Sequence, residues 1–251
     1  IHLNVDNFEE LEEVSGVIEG LGKTKSVVGL RINPVLKTIG DIAALSVATE
    51  DSKFGVPLTE ENYDTVVSWF SKRPWLTCVH VHIGSQSFTP FDLAEGAKAA
   101  FDLALAVNRK VARNQVHTID IGGGLQVNRR DDTVSPTFYE YSRVLSEKVP
   151  ELKKGFFKRV ITEFGVAFHA KSGWLVSRVE YTKQAANGLG IALINFGADI
   201  CMRTCYCPTV KKYQRRAAVF DCKGKPKSGK VRSKFQFYGP SFGLEYFEVL
   251  V

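Results

Sequence analysis

Two spacings of apolar residues alternate along this chain, one typical of helices and the other of buried strands. Residues 6–21 carry an apolar side chain at every third or fourth position, which predicts an amphipathic helix capped by Asp6 or Asn7. Residues 26–33 form a nearly continuous apolar run that stops before Pro34, which predicts a strand buried on both faces. The pattern continues with helices predicted at 59–72, 90–113, 136–148 and 169–174, strands at 77–83, 118–121, 159–162 and 190–195, and an extended stretch at 175–183.

Strands that alternate with helices in this way predict parallel strands joined by right-handed helical crossovers. Several such units, each with a strand that ends in glycine or polar residues, favour a (β/α) barrel, and a doubly wound open sheet is the alternative. We therefore predict an α/β fold with a (β/α)8 TIM-like barrel in residues 1–174, to which residues 190–206 return. Residues 175–189 and 207–251 are predicted to form part of a β-domain.

The composition is that of an ordinary soluble globular protein, since 44% of the 251 residues are hydrophobic and 24% are charged. No apolar run is long enough to cross a membrane, and the first residues lack the regions of a signal peptide. The five cysteines are an odd number without disulfide-framework spacing, which favours a reducing compartment and a cytoplasmic protein. Cys201, Cys205 and Cys207 cluster without a fourth regularly spaced ligand, so free thiols are favoured over a zinc site.

The net charge of +6 is concentrated near the end of the chain, where residues 211–234 contain ten Lys or Arg and one acid, Asp221. A run this basic is able to bind nucleic acid or an anionic partner. It lacks interleaved surface aromatic residues apart from Tyr213, and it contains Gly and Pro. The composition favours a solvated Lys-rich hairpin, and we predict neither a nucleic-acid nor a membrane partner.

A turn made of Gly122, Gly123 and Gly124, called the glycine turn below, follows the predicted strand at 118–121. Glycine has no Cβ and adopts any φ, so backbone N–H groups in such a turn are able to approach an anion, and phosphate is the usual guest. A tight turn after a strand also needs glycine for purely structural reasons. The turn alone leaves both interpretations open.

Polar residues lie at the ends of two other predicted strands, and in a barrel all three strand ends converge on one mouth. His82 lies at the end of one strand with Ser85 just beyond it, and Glu163 follows another strand. An imidazole that stacks on a flat ring, a hydroxyl and glycine turn that hold a phosphate, and a carboxylate that keeps a ring nitrogen protonated are what pyridoxal 5'-phosphate needs. Each residue also has a structural interpretation, namely a core histidine, a helix-capping serine and a solvated acid. Their joint placement favours the cofactor.

A metal centre is the rival interpretation, because His80 and His82 lie on one side of their strand, as in barrel hydrolases. A catalytic zinc needs at least one more ligand at the same mouth. His2 is terminal, His117 begins its strand and His169 lies in a predicted helix. The sequence therefore favours the cofactor over the metal.

These residues carry a resemblance to the barrel-type pyridoxal phosphate amino-acid decarboxylases of the alanine-racemase-like fold, the diaminopimelate and ornithine decarboxylase relatives. The diaminopimelate branch is the most similar. The motifs that carry the resemblance run in order along the chain: Gly-Leu-Arg-Ile-Asn at 29–33, Ser-Lys-Phe-Gly at 52–55, His-Ile-Gly-Ser-Gln at 82–86, Asp-Ile-Gly-Gly-Gly at 120–124, Glu163-x-Gly165, Arg203-x-x-Tyr206 and Gly239-Pro240.

The resemblance implies a role for each matched residue. His82 stacks on the cofactor ring, Ser85 and the glycines, with Gly165, bind its phosphate, and Glu163 binds its pyridine nitrogen. It further implies decarboxylation of a basic or diamino acid, a place in lysine biosynthesis, and a homodimer in which the partner's β-domain completes each site.

The sequence departs from the family pattern at three points. The family's cofactor-binding lysine lies on the first barrel strand, upstream of this chain, and no lysine here stands in that motif. The phosphate-binding arginine of the family is Val166 here, and its partner-site cysteine is Phe242. The resemblance therefore implies a decarboxylase that is truncated or impaired as written. A non-catalytic homologue with a binding or regulatory role is the alternative, and a metal-dependent barrel hydrolase ranks below both.

Overall fold

The computed structural model describes residues 1–37, 46–129, 131–188, 190–197, 200 and 217–227, together with the backbone of 234–238 and 249–250. The chain divides into two compact units. The first comprises residues 1–127 and 135–169, and the second comprises residues 128–134 and 170–251. Each unit contains its own sheet.

The sheet of the first unit is parallel throughout. Its strands are β1 His2–Val5, β2 Val27–Asn33, β3 Val56–Pro57, β4 Leu76–Val81, β5 Thr118–Asp120 and β6 Arg159–Ile161. The strand order is β1-β2-β4-β5-β6, and β3 pairs with β2 at the side. Parallel neighbours that follow one another in sequence require helical crossovers, so the βαβ prediction is confirmed.

Polar side chains set where the helices of the first unit begin. Asn7 caps the first helix by accepting from the Glu10 N–H at 2.8 Å, as predicted. Thr89 and Thr137 each form a capping box with an acid three residues later. The helices are α1 Phe8–Leu21, α2 Tyr63–Lys72, α3 Pro90–Lys110, α4 Phe138–Lys148 and α5 Gly165–His169, with a 3-10 helix at Pro150–Lys154.

Two helix predictions differ from the structure. Helix α2 begins at Tyr63 rather than at residue 59, because the Asn62 side chain closes a turn by binding the Thr59 N–H and the Pro57 carbonyl. The short helix predicted at 169–174 lies instead at 165–169. There, Phe164 anchors the start of α5 by packing edge-on against Tyr141 of α4, with ring centroids 5.3 Å apart.

The core of the first unit lies between the sheet and its helices. Leu30, Ile32 and Ile119 of the strands are almost completely buried, as are Phe70 of α2 and Phe101 of α3. Burial of a side chain of this size contributes roughly 2 kcal/mol, so such contacts hold the strand register in place. The register in turn fixes which side chains meet at the ends of the strands.

The second unit holds a separate sheet. Its strands are β7 Tyr181–Gln184, β8 Gly190–Leu193, β9 Lys234–Tyr238 and β10 Val249–Leu250. Their order in the sheet is β10-β9-β8-β7. Strand β8 pairs antiparallel with β7, which differs from the predicted return of residues 190–206 to the barrel. The physical reason is a tight turn in which the Gly188 N–H donates to the Ala185 carbonyl at 2.9 Å, and Asn187-Gly188 is a hairpin signal.

Part of the predicted Lys-rich hairpin is described and is confirmed there. Asp221 and Gly224 close a turn through backbone hydrogen bonds, and Phe220 pairs antiparallel with Pro226. Several sequence predictions concern residues outside the described part of the chain: the cysteines at 201, 205 and 207, Arg203, Tyr206, Gly239, Pro240 and Phe242. Among the helices that the structure describes, none combines the length and apolar character that crossing a membrane requires.

Candidate functional site

The C-terminal ends of β4, β5 and β6 meet at one end of the first sheet. His80 of β4 pairs in register with Asp120 of β5, and Asp120 pairs with Ile161 of β6. Register partners in a parallel sheet point to the same face. His82 and Glu163 lie two residues beyond His80 and Ile161, so they point to that face as well. The sequence prediction that these strand ends converge is confirmed.

Direct contacts join His82, the glycine turn and Glu163. The Gly123 N–H donates to His82 Nδ1 at 3.1 Å. The Glu163 N–H donates to the Gly122 carbonyl at 2.7 Å. His82 Nδ1 and Glu163 Oε2 are 3.6 Å apart. An imidazole, a bare backbone turn and a carboxylate therefore lie directly against one another.

The glycine turn is crowded by neighbouring backbone. A Cβ on Gly123 would lie 2.4 Å from the Glu163 carbonyl oxygen, and one on Gly124 would lie 2.0 Å from that of Gly84. Gly124 also has a φ of 98°, which L side chains rarely adopt. The structural interpretation of these glycines is therefore correct. It is compatible with the phosphate interpretation, because the same absence of side chains leaves the turn open to a ligand.

The backbone N–H groups of the glycine turn are not equally free. The Gly122 N–H donates to Asp120 Oδ1 at 3.1 Å, and the Gly123 N–H is bound by His82. Among the described residues, the Gly124 N–H has no protein acceptor. An anion at this turn would thus bind chiefly at Gly124 unless His82 moved away.

The two remaining predicted residues lie beside the turn. Ser85 is half-buried in the loop between β4 and α3, and it does not cap α3, because Thr89 does so. Gly165 begins α5, and its N–H donates to the Glu163 carbonyl at 2.7 Å. A Cβ on Gly165 would meet no atom within 4 Å. The space beside Gly165 is open.

The pKa of Glu163 lies below its ordinary value, first because of the adjacent His82 imidazole, and further because His80 and Arg31 also favour the ionised carboxylate. Partial burial acts in the opposite direction. The side chain of Glu163 remains 44% exposed, so this carboxylate is ionised and accessible. An ionised carboxylate in this position is able to pair with a protonated ring nitrogen.

The sequence model of the family described as "Pyridoxal-dependent decarboxylase, pyridoxal binding domain" matches residues 1–170. The chain belongs to this family. Its cofactor is pyridoxal phosphate, as the sequence predicted. The diaminopimelate decarboxylase of Zymomonas mobilis is 30% identical over 207 residues, which cover 81% of this chain and 47% of that protein. The diaminopimelate decarboxylase of Helicobacter pylori strain J99 is 29% identical over 191 residues.

Solved decarboxylase structures share the fold of the chain. Diaminopimelate decarboxylase from H. pylori, complexed with L-lysine, has a TM-score of 0.72 at 22% identity, covering 96% of this chain and 55% of that one. The diaminopimelate decarboxylase from M. jannaschii, in co-complex with L-lysine, has a TM-score of 0.74 at 21% identity, covering 99% of this chain and 57% of that one. The predicted α/β barrel class is thereby confirmed. The chain spans about half the length of the curated relatives that it matches.

The site fits the cofactor of this family in its donor set. An accessible ionised carboxylate, a half-buried imidazole and a turn that side chains would fill lie together, as the contacts above show. The family's phosphate-binding arginine has no counterpart at Val166, which lies on α5 with 45% of its surface exposed. The arrangement is therefore suited to a pyridoxal ring but provides less charge for its phosphate.

Sequence reasoning considered His80 only as one of a pair of metal ligands, and it gave Asp120 no role of its own. Both residues are buried, at 7% and 3% exposure. Asp120 Oδ2 accepts from Asn4 Nδ2 at 3.0 Å, so its two oxygens bind the first strand and the glycine turn. Both ring nitrogens of His80 are buried without a hydrogen-bond partner. The His80-x-His82 spacing was the available signal, and it was interpreted only as a metal motif.

Arg31 gives the Ser-Lys-Phe-Gly motif at 52–55 a structural purpose in this family member. Arg31 is the register partner of His80 on β2, and its guanidinium lies 4.5 Å above the centre of the Phe54 ring. Asp6 Oδ1 lies 3.5 Å from Arg31 Nη1, and Asp6 Oδ2 accepts a hydrogen bond from the Gly55 N–H at 3.1 Å. Burial lowers the pKa of Arg31, while the charges of Asp6 and Glu163 raise it. The motif thus holds a cation on the same sheet face as Glu163.

A metal ion also has candidate ligands here. One donor atom each of His80, Asp120 and Glu163 lies within 4.8 Å of the others. This group joins His80 to two carboxylates and does not include His82, so it differs from the His80–His82 pair considered from the sequence. However, both Asp120 oxygens already accept hydrogen bonds, and the Arg31 charge acts on Glu163. These features favour the pyridoxal cofactor over a cation.

Proposed function

We propose that this chain is the pyridoxal-phosphate-binding part of a decarboxylase that acts on diaminopimelate or a related basic amino acid. The observation that carries the proposal is the meeting of His82, the glycine turn and Glu163 at one end of a parallel sheet. The substrate class follows from the relatives, which are diaminopimelate decarboxylases.

Each residue has a separate task in this proposal. The imidazole of His82 packs against the cofactor ring, and Glu163 binds the proton on the ring nitrogen. Ser85, Gly165 and the Gly124 N–H contribute to binding the phosphate. When bound, the cofactor supplies an electron sink for the electrons left behind as the substrate carboxylate departs as carbon dioxide. The ionised state of Glu163 keeps that sink protonated.

One residue of the chain lowers the expected affinity for the cofactor. Val166 stands where the family resemblance places a charged phosphate partner, which weakens cofactor binding by about 1.5–3 kcal/mol. We infer that the cofactor phosphate binds less tightly than it would with an arginine at this position.

Two further features belong to the proposal. The cysteine content favours a cytoplasmic protein, and the family resemblance implies a homodimer in which the β-domain of one protomer completes the site of the other. Sedimentation velocity of the purified chain measures this association directly. A monomer at all concentrations would show that this chain does not dimerise by itself.

Cofactor binding is the decisive experiment. Pyridoxal phosphate is titrated into the wild-type chain and into His82→Ala, Glu163→Gln and the control His117→Ala, and the cofactor absorbance and fluorescence are recorded. His117 precedes β5 and so lies at the opposite end of that strand. We expect both site variants to weaken binding about tenfold and the control to match the wild type. Equal affinities for all four proteins would overturn the proposal.

Release of carbon dioxide from meso-diaminopimelate, with lysine, ornithine and arginine as competitors, tests the reaction itself. Cofactor binding without turnover of any of them would support the non-catalytic alternative.

The group of His80, Asp120 and Glu163 favours a metal-dependent activity as a further candidate. Calorimetric titration with zinc distinguishes a metal site from a cofactor site. Zinc that displaces pyridoxal phosphate would identify a metal centre.

A further inference from the structure

His80 is a buried polar residue that the proposed function leaves without a task. Its side chain is 9% exposed, and neither ring nitrogen has a hydrogen-bond partner among the described residues. An unpaired imidazole in a protein interior is costly, so such a group requires an explanation. Its surroundings supply one.

Every charged or titratable neighbour of His80 lies on the site face of the sheet. Asp120 on β5 and Arg31 on β2 are its register partners, His82 follows β4, and Glu163 follows β6. The Nε2 atom of His80 is 3.7 Å from Glu163 Oε1. Burial lowers the pKa of His80 below its ordinary value, the two carboxylates act in the opposite direction, and Arg31 and His82 add to the lowering.

Glu163 lies between two imidazoles, and only one of them is free to donate to it. Oε1 faces His80 Nε2 at 3.7 Å, and Oε2 faces His82 Nδ1 at 3.6 Å. His82 Nδ1 already accepts the Gly123 N–H at 3.1 Å, which is within hydrogen-bonding distance, whereas 3.6 Å is beyond it. A neutral His82 therefore has no proton on Nδ1 to give to Glu163.

We propose that His80 is a positioning residue that donates from Nε2 to Glu163 Oε1 and aims this carboxylate at the cofactor's ring nitrogen. The separation of 3.7 Å closes by rotation of the Glu163 side chain, which is 44% exposed and has room to move. Hydrogen bonds of this kind are often long before the ligand binds. Asp120, held by Gly122 and Asn4, provides the fixed negative charge beside the imidazole. The inference depends on the proposed cofactor.

Two ligands that differ at one atom isolate this effect. Pyridoxal phosphate carries the ring nitrogen, and its 1-deaza analogue has a C–H group there. We expect His80→Leu to weaken binding of pyridoxal phosphate about tenfold and to change the affinity for the analogue less than twofold, because only the nitrogen needs Glu163. His80→Gln retains a donor and restores most of the affinity. His80→Leu added to Glu163→Gln has no further effect.

A measurement without ligand provides an independent test. In the unliganded wild-type chain, long-range proton–nitrogen spectra report whether His80 Nε2 carries a proton, and carbon spectra report the pKa of Glu163. We expect a protonated Nε2, and a pKa of Glu163 that rises in His80→Leu as the donor is lost. The wild-type spectra need no variant, so a variant that fails to fold leaves this arm intact.

The outcomes separate the two proposals. If the wild-type chain binds neither ligand, the proposed function fails, while the spectra still decide the role of His80. If His80→Leu weakens both ligands equally, His80 is merely structural. An Nε2 atom without a proton, or an unchanged pKa of Glu163 in the variant, would also overturn the inference.

Discussion

Two turns that contain glycine lie side by side at the ends of β5 and β6, and they are built under opposite constraints. In the glycine turn after β5, a methyl group at Gly123 or Gly124 would collide with a backbone carbonyl. In the turn after β6, a methyl group at Gly165 would meet nothing within 4 Å. Each turn matches a motif of the family, yet packing requires glycine only in the first.

The acidic residues of the two turns differ in the same way. Asp120 is 3% exposed, and both of its oxygens are bound. The side chain of Glu163 is 44% exposed, and its nearest imidazole nitrogens are 3.6 and 3.7 Å away. One turn is thus a rigid frame and the other carries an adjustable carboxylate. We infer that ligand binding depends on the second turn and folding on the first.

Gly124→Ala gives the largest expected effect and tests the rigid turn. The new Cβ lies 2.0 Å from the Gly84 carbonyl oxygen, at a φ of 98° that alanine rarely adopts. We expect the free energy of unfolding to fall by about 2–4 kcal/mol. Urea unfolding followed by circular dichroism measures this change.

Gly20→Ala in α1 is the matched control for that experiment, because its methyl group meets no atom within 4 Å. The control should be neutral or slightly stabilising, since alanine favours helices. A Gly124→Ala protein as stable as the control would remove the contrast between the two turns.

Val166→Arg tests the open turn from the side of the ligand. Val166 lies on α5, one residue after Gly165, and is exposed. An arginine there restores the cation that the family resemblance assigns to the cofactor phosphate. We expect about tenfold tighter binding of pyridoxal phosphate, equivalent to about 1.4 kcal/mol. Titration of pyridoxal phosphate measures it, and titration of pyridoxal, which lacks the phosphate, is the control.

Equal gains for pyridoxal and pyridoxal phosphate would show that the new arginine acts elsewhere. No gain for either ligand would place the phosphate away from α5. In both cases, the assignment of the second turn to ligand binding would lose its main support.

The sequence predicted the convergence of His82, the glycine turn and Glu163 because continuous apolar runs fix parallel strands, and parallel strands align their C-terminal ends. It did not predict the burial of His80 beside Asp120. Whether a polar side chain on a strand finds a partner depends on its neighbours across the sheet, and the spacing along one strand does not contain this information. The family motifs also could not distinguish Gly165 from the glycines that packing requires.

The second sheet shows a different limit of prediction from sequence. We predicted that residues 190–206 return to the barrel. Within the described part of that range, residues 190–193 instead form an antiparallel hairpin with β7, at a turn that carries the local signal Asn187-Gly188. Here the short-range turn chemistry was more informative than the pattern of the preceding units.

The pH dependence of stability distinguishes the buried histidine from the exposed acid. Burial lowers the pKa of His80 from its ordinary value of 6.5. Just below pH 6.5, His80 is therefore protonated in the unfolded chain and still neutral in the folded chain. Stability should therefore fall as pH drops below about 6.5, by about 1 kcal/mol per pH unit. Glu163, with its lowered pKa, loses its smaller contribution only as pH drops below its ordinary value of 4.5.

Urea unfolding between pH 7 and pH 4 in the wild type and in His80→Gln measures this difference. His117, whose pKa burial also lowers, contributes in the same direction to both proteins. The variant should show a flatter curve between pH 6.5 and pH 5. Parallel curves for the two proteins would mean that His80 takes up its proton in the folded state as readily as in the unfolded one.

Gly165→Ala is expected to have the smallest effect on stability, within about 0.5 kcal/mol, because the methyl group enters open space at the start of α5. Its effect on the ligand should be larger, since the open space beside Glu163 is where we place the cofactor phosphate. Pyridoxal phosphate binding should weaken severalfold while the unfolding midpoint stays constant. Loss of stability without loss of binding would reverse the roles given to the two turns, because the second turn would then be part of the frame.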